Sequence, residues 1–220
     1  MFKHTPLEVF ELESTEVNGK RFYKVEEDLF PSVTTVLSSF EKEGIKQWEQ
    51  RVGQTEANKI KNYSSRRGTQ LHLMCEDYVM NQEQYKVGRM PSTIELFKQI
   101  QPYLDNYMES VYNIEIPLHS KELKAAGRCD LLCRMHRVNC IVDYKTSTKP
   151  KKEEWIENYF LQTTAYAMMV EEMYDLPIFY NIVLIAVEEG GPQVFIKKPS
   201  MYKDKVINLF HSYNHMQKLD

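Results

Sequence analysis

The spacing of apolar residues changes near residue 113, and the change divides the chain into two halves of different expected structure. Before it the period is mostly helical. A short alternating run at 20–25, with Phe22, Tyr23 and Val25 after an Asn18-Gly19 turn signal, predicts a single strand. Pro31-Ser32 then opens a helix through Val33, Val36 and Leu37, with the Ser32 hydroxyl as its cap. Two further helices are expected across 45–62, one of them holding Ile45, Trp48 and Val52. A stronger helix, capped by Ser64 or Ser65, runs to about Met80 on a stripe of Leu71, Met74, Cys75 and Tyr78. Ser92 starts another pattern, from Ile94 and Phe97 through Leu104 and Val111, which Pro102 should kink or divide.

From 113 the period is two. Strands are expected at 113–119, 127–135 and 139–145, the last two joined by a tight turn at 136–138. A long helix follows from about 152 to 174, stopped by Asp175-Leu176-Pro177. The near-continuous apolar run 179–187 reads as a strand buried on both faces. Glu189-Gly190-Gly191-Pro192 turns into a last strand at 193–197, and Ser200 caps a closing helix. No repeat or linker interrupts this order. The expected architecture is α/β: one domain over 1–220, with a mainly helical region at 1–112 and an α/β core at 113–220, a small central mixed sheet flanked by helices.

Composition adds limits. With 220 residues, 42% of them hydrophobic and 27% charged, the chain can bury one sizeable core. No apolar run approaches the roughly 18 residues of a membrane span, and the first 30 residues are acidic, so a soluble cytoplasmic protein without membrane partners is expected. A net charge of −3 argues against bulk coating of nucleic acid, so affinity for phosphate must be local. The charge is uneven. Residues 42–72 carry Lys42, Lys46, Arg51, Lys59, Lys61, Arg66 and Arg67 against Glu43, Glu49 and Glu56, a stretch fit either for a polyanion or for a plain solvated helix face. Cys75, Cys129, Cys133 and Cys140 match no paired zinc or redox spacing and read as core thiols.

The chemistry concentrates in Gly127-Arg128-Cys129-Asp130 and Asp143-Tyr144-Lys145, on adjacent strands. Asp143 and Lys145 are two apart and share a face, and Asp130 can meet them from the neighbouring strand. Carboxylates gathered there repel one another unless a cation neutralises them, and hard oxygen ligands suit Mg²⁺ or Mn²⁺. A lysine beside them fits hydrolysis, by orienting water or stabilising charge on phosphorus. An aspartate and lysine on a hairpin are also a common surface ion pair. Glu115 lies on the preceding strand, with Ile114 and Ile116 facing the other way, and reads either as an aid to the metal or as an exposed strand acid.

Together these segments resemble the PD-(D/E)XK nucleases, and within them the RecB-type group that includes phage and mitochondrial exonucleases. Arg67-Gly68-Thr69-Gln70-Leu71-His72, continuing to Glu76, is similar to the group's G-T-x-x-H-x-x-x-E helix. Gly127 to Asp130 resembles its G-x-x-D strand, Asp143-Tyr144-Lys145 its D-x-K strand, and Gln162-Thr163-Thr164-Ala165-Tyr166 its Q-x-x-x-Y helix. Pro31 to Leu37 resembles an amino-terminal segment of phage and mitochondrial members.

The resemblance implies a restriction-endonuclease-like core. Within it His72, Asp130, Asp143 and the Tyr144 carbonyl would ligate Mg²⁺ or Mn²⁺, and Asp130, Asp143 and Lys145 would be catalytic. Glu76, Glu115, Gln162 and Tyr166 would support them, and Lys59, Arg66, Arg67 and Arg128 would contact DNA phosphates. Trp48, Tyr63 and Trp155 could stack bases or simply fill core. Some single-strand nucleases of this kind hold an iron–sulfur cluster with three cysteines after the Q-x-x-x-Y helix; this chain has no cysteine beyond 140, so no cluster is expected. The implied activity is metal-dependent exonucleolytic hydrolysis of DNA, preferentially single-stranded, in replication, recombination or repair beside the proteins of those processes. A structure-specific endonuclease or an RNase on the same core, or a nucleic-acid-binding subunit of a recombination complex, are the alternatives.

Overall fold

A computed structural model describes residues 1–40 and 42–217. The side chains of Lys42, Glu43 and Ile45, all named above, lie outside the described set. The main sheet has five strands: β4 (Met108–Ser120), β5 (Ala125–Met135), β6 (Val138–Ser147), β7 (Tyr180–Val187) and β8 (Gln193–Lys197), paired in that order. All neighbours are antiparallel except β6 and β7. That parallel pair needs a crossover, and α5 (Glu157–Tyr174) supplies it. β7 has a strand on each side and seven of its eight residues buried, which accounts for its unbroken apolar run.

One face of the sheet packs on α3 (Gln54–Val79) and α4 (Pro91–Tyr107), joining Leu71, Met74, Phe97 and Leu104 to Leu131, Val142 and Tyr144. The other packs on α1 (Val33–Phe40), α5 and α6 (Lys203–Met216), joining Val33, Val36, Leu161 and Phe210 to Cys129, Leu132 and Ile141. The four cysteines are all buried. Among the described residues no helix is long and apolar enough to cross a membrane.

Several boundaries differ from the sequence reading. The strand at 20–25 is β2 (Lys20–Val25), and it lies between β1 (Ser14–Val17) and β3 (Asp28–Pro31), which were not expected. Asn18 and Gly19 take φ 52° and 72°, as a two-residue hairpin turn demands. Ser32 does cap α1, accepting from the Thr35 amide at 3.0 Å, and an isolated bridge from Ser32 to Ala126 ties this small sheet to β5.

The helices expected across 45–62 are α2 (Lys42–Val52) and the first half of α3. Ser64 and Ser65 cap nothing, because α3 continues through them for 26 residues, about 39 Å. Its outer half, 54–66, is exposed except at Ala57 and Ser64. Pro102 lies inside α4 without dividing it, and α4 starts at Pro91 rather than Ser92. β4 begins at Met108, five residues earlier than expected, because register shifts at Met108/Ser110 and Val111/Asn113 break the alternation there and leave a helix-like spacing. A 3-10 turn at Pro199–Met201 precedes α6, so Ser200 is not its cap. The first 112 residues therefore hold three strands and the start of a fourth as well as helices.

Candidate active site

The site forms where β5 and β6 part. Their ladder ends at Leu131–Val142, although β5 begins at Ala125 and β6 runs on to Ser147. Beyond that point β5 pairs with β4 and, at Ala126, bridges to Ser32, while β6 pairs with β7. The Tyr144 amide, left without a strand partner on this side, donates instead to Asp130 Oδ2 at 2.9 Å. A carboxylate thus replaces a main-chain acceptor, and Asp130 is fixed in the opening with 8% exposure.

α3 crosses the opening on one face. His72 Nε2 lies 2.6 Å from the Tyr144 carbonyl, and since a carbonyl only accepts, this nitrogen carries the hydrogen. Nδ1 faces Asp130 Oδ2 at 3.4 Å. The Tyr144 carbonyl thus orients the imidazole and directs Nδ1 into the site. On β4, Glu115 takes φ 49° beyond a register shift between Val111 and Asn113. One ligand atom from each of His72, Glu115 and Asp130 falls within 4.8 Å of the others.

Asp143, expected in that same ligand set, is not in this trio. Its carboxylate, 2% exposed, faces Lys145, whose Nζ lies 2.6 Å from Oδ1 and 2.5 Å from Oδ2. Gln162 on α5 donates to Oδ1 at 3.1 Å. Tyr159, which the sequence reading passed over, places its ring 5.1 Å from Lys145 Nζ; its position one turn before Gln162 was the available signal. Tyr166 acts sterically, because a Cβ at Gly127 would fall 2.8 Å from its Cε1 and 3.0 Å from its hydroxyl oxygen. The G-x-x-D and Q-x-x-x-Y segments therefore require one another: the bare Gly127 makes room for the buried Tyr166 ring. Gly127→Ala is expected to cost about 1–3 kcal/mol through overpacking. Gly68→Ala, whose Cβ would meet only Thr146 Oγ1 at 4.0 Å, should be neutral or slightly stabilising, and thermal melts of the two variants check the contrast.

The electrostatics are those of crowded acids. Burial, then Asp130 and Glu76, pushes the Glu115 carboxyl up to about 7. Burial also raises Glu76, with Asp130 adding to it. Burial raises Asp143 against the pull of Lys145, with Asp130 adding to the rise. Burial alone would lower Lys145, but the charges of Asp143 and Asp130 more than offset it. For an acid raised in the folded state, stability is greatest with the proton bound and falls as it leaves. The metal-free protein should therefore lose stability as pH rises from about 4.5, the ordinary value, to about 7. Glu115→Gln should remove much of that slope in melts with chelator; an unchanged slope would show that Glu115 is not crowded by its neighbours.

The basic candidates separate. Arg67 is turned inward to Glu188, with Thr148 Oγ1 at 3.0 Å and the Tyr63 ring 5.3 Å away. It joins α3 to the ends of β6 and β7 and is not displayed for phosphate. Tyr63 also bonds Glu188. Arg128 donates to the Glu115 carbonyl at 3.2 Å and lies 3.6 Å from Glu11, which bends it toward β4. Lys59, 3.6 Å from Glu56, and Arg66 are exposed on the outer half of α3. Trp155 is 63% exposed and is not core.

A model of the PD-(D/E)XK nuclease superfamily matches residues 42–189, a span that contains His72, Glu115, Asp130, Asp143, Lys145 and Gln162. The chain is 26% identical over 130 residues to mitochondrial genome maintenance exonuclease 1 of Xenopus tropicalis, covering 57% of this chain and 37% of that protein. It is 25% identical over 189 residues to the human protein of that name, covering 76% of this chain and 52% of that protein. The chain thus spans between about a third and a half of the relatives it matches. A provisionally assigned exonuclease of Eubacterium rectale superposes with a TM-score of 0.40 at 12% identity, over 67% of this chain and 68% of that one.

Proposed function

Because this chain belongs to the PD-(D/E)XK nuclease superfamily, we propose that it is a Mg²⁺- or Mn²⁺-dependent deoxyribonuclease that degrades single-stranded DNA from an end. The observation that carries the reaction is the parted β5 and β6, which hold a cluster of acids on one side of the opening and Lys145 on the other. The donor set fits a hard divalent cation. Carboxylate oxygens predominate, a single imidazole completes them, and the repulsion that lifts Glu115 to about 7 is what a cation would relieve. His72, Glu115 and Asp130 would hold it, with Asp143 and the Tyr144 carbonyl bordering them. When bound, the ion supplies charge stabilisation at the phosphoryl oxygens and a more acidic water.

The chain's own residues do the rest. Asp143, fixed by Gln162, aims the Lys145 ammonium into the opening. There it can donate to the attacking water and to the oxygen on which charge develops. Tyr159 lies over the same ammonium and limits its rotamers. On this reading residues 1–112 shape access to a catalytic core at 113–220 within one nuclease domain, while contributing His72 to the core.

End selection rests on the outer half of α3 with α2, an exposed helical pair bearing Lys59, Lys61 and Arg66. It extends the helix that carries His72 and would give a single strand a basic approach. The test is digestion of end-labelled linear single strands, circular single strands and blunt duplex with Mg²⁺, Mn²⁺ or chelator. Linear single strands should be degraded progressively, duplex slowly and circles least, with no cleavage in chelator. Equal rates on circles and linear strands would make the protein an endonuclease, and inertness toward every substrate would remove the reading.

A further inference from the structure

A cleft of about 450 Å³ continues from the acidic side of the site, lined by Glu76 of α3 and Met80 just past its end, by Tyr112, Ile114 and Glu115 of β4, and by His4. That volume is within the ~300–1,000 Å³ usual for ligand pockets. The segment at residues 2–7 runs along one edge of the cleft. His4 Nε2 meets the Val79 carbonyl at 3.0 Å, the Thr5 amide donates to Val111 at 2.8 Å, and Leu7 exchanges hydrogen bonds with the Asn113 side chain at 3.1 and 3.2 Å. Glu115 belongs to both the cleft and the metal-ligating trio, so the cleft opens directly beside the site.

Resting on the nuclease reading above, we infer that this cleft receives the terminal nucleoside of the strand and selects an end that carries a hydroxyl over one that carries a phosphate. The charge distribution decides the direction in which the strand lies. On the far side of the opening, beyond Lys145, the connection from β6 to α5 carries Lys149, Lys151 and Lys152, a side fit for the polyanionic body of the strand. The cleft has no lysine or arginine among its described lining residues and presents Glu76 at its inner rim. A cation drawing on Glu115 and Asp130 leaves Glu76 in place. A second phosphate there would meet a carboxylate, whereas a neutral nucleoside can lay its base on Met80 and Ile114 and offer its hydroxyl to Glu76. Water attacking the phosphorus expels the oxygen that stays on the strand, so each cut leaves a new terminal hydroxyl for the next round and releases the terminal nucleoside with the phosphate.

The experiment uses internally labelled single strands in three forms: hydroxyls at both ends, phosphate at the 5′ end only, and phosphate at the 3′ end only. A phosphate at the attacked end should raise KM roughly tenfold or more, while a phosphate at the other end changes nothing. Met80→Arg, which adds a guanidinium at the mouth from an exposed position, should abolish or reverse the discrimination. Equal rates on all three strands, acceleration by a terminal phosphate, or release of oligonucleotides would overturn the cleft's role and leave the nuclease standing. Hydrolysis of none of the three would remove the nuclease reading and the cleft with it.

Discussion

Replacing Asp130 with asparagine is expected to reduce cleavage by at least roughly three orders of magnitude while leaving the metal-free fold as stable as before or more so. The loss follows from the several kilocalories that a bound cation contributes to phosphoryl transfer. Stability is retained because an amide oxygen can still accept from the Tyr144 amide, as Oδ2 does at 2.9 Å, while one of three facing charges disappears. Asp130→Ala separates the two roles of this side chain. It also abolishes cleavage, but it leaves the Tyr144 amide without its acceptor in the interior, at about 1–3 kcal/mol. Charge relief alone would predict equal or better stability for both variants, so thermal melts in chelator discriminate. Cleavage at the native rate by the asparagine variant would show that Asp130 does not hold the cation.

Lys145→Ala should lose turnover by about 10²–10⁴-fold with little change in affinity for DNA, since its ammonium acts where charge develops rather than along the strand. Its second effect falls on Asp143, which is 2% exposed and would keep only Gln162 among the polar partners described above. Asp143, already raised by burial, would rise further and take up a proton. Lost pairing should therefore be mild at low pH and grow as pH climbs and the proton leaves. Single-turnover rates, filter binding and melts across pH read the three effects separately. Persistent cleavage with collapsed DNA affinity would make Lys145 a phosphate clamp.

The parts of this molecule that were legible in the sequence are those specified locally. The β5–β6 hairpin follows from its period of two and a tight turn, where His136 and Arg137 take φ 53° and 66°. The motif residues His72, Asp130, Asp143, Lys145 and Gln162 lie around one opening. Alternation does not say where a ladder stops, so the parting of β5 from β6, and with it the different partners of Asp130 and Asp143, was not visible. Glu115 read either as an aid to the metal or as an exposed strand acid, because a left-handed residue beyond a register shift leaves no mark on the hydrophobic pattern. β1 escaped notice because all four of its residues are exposed. Arg67 looked like a phosphate ligand because Glu188, its partner, is 121 positions away.

α3 is a single uninterrupted helix whose inner half is built into the sheet and whose outer half is clothed almost wholly by solvent. Such a rod has no hinge. Its inner half shares the cooperative unfolding of the core, while its outer turns depend on little beyond their own main-chain bonds and α2, and they open at far lower free energy. The boundary between the two regimes lies near Gly68, beside Thr146 of β6.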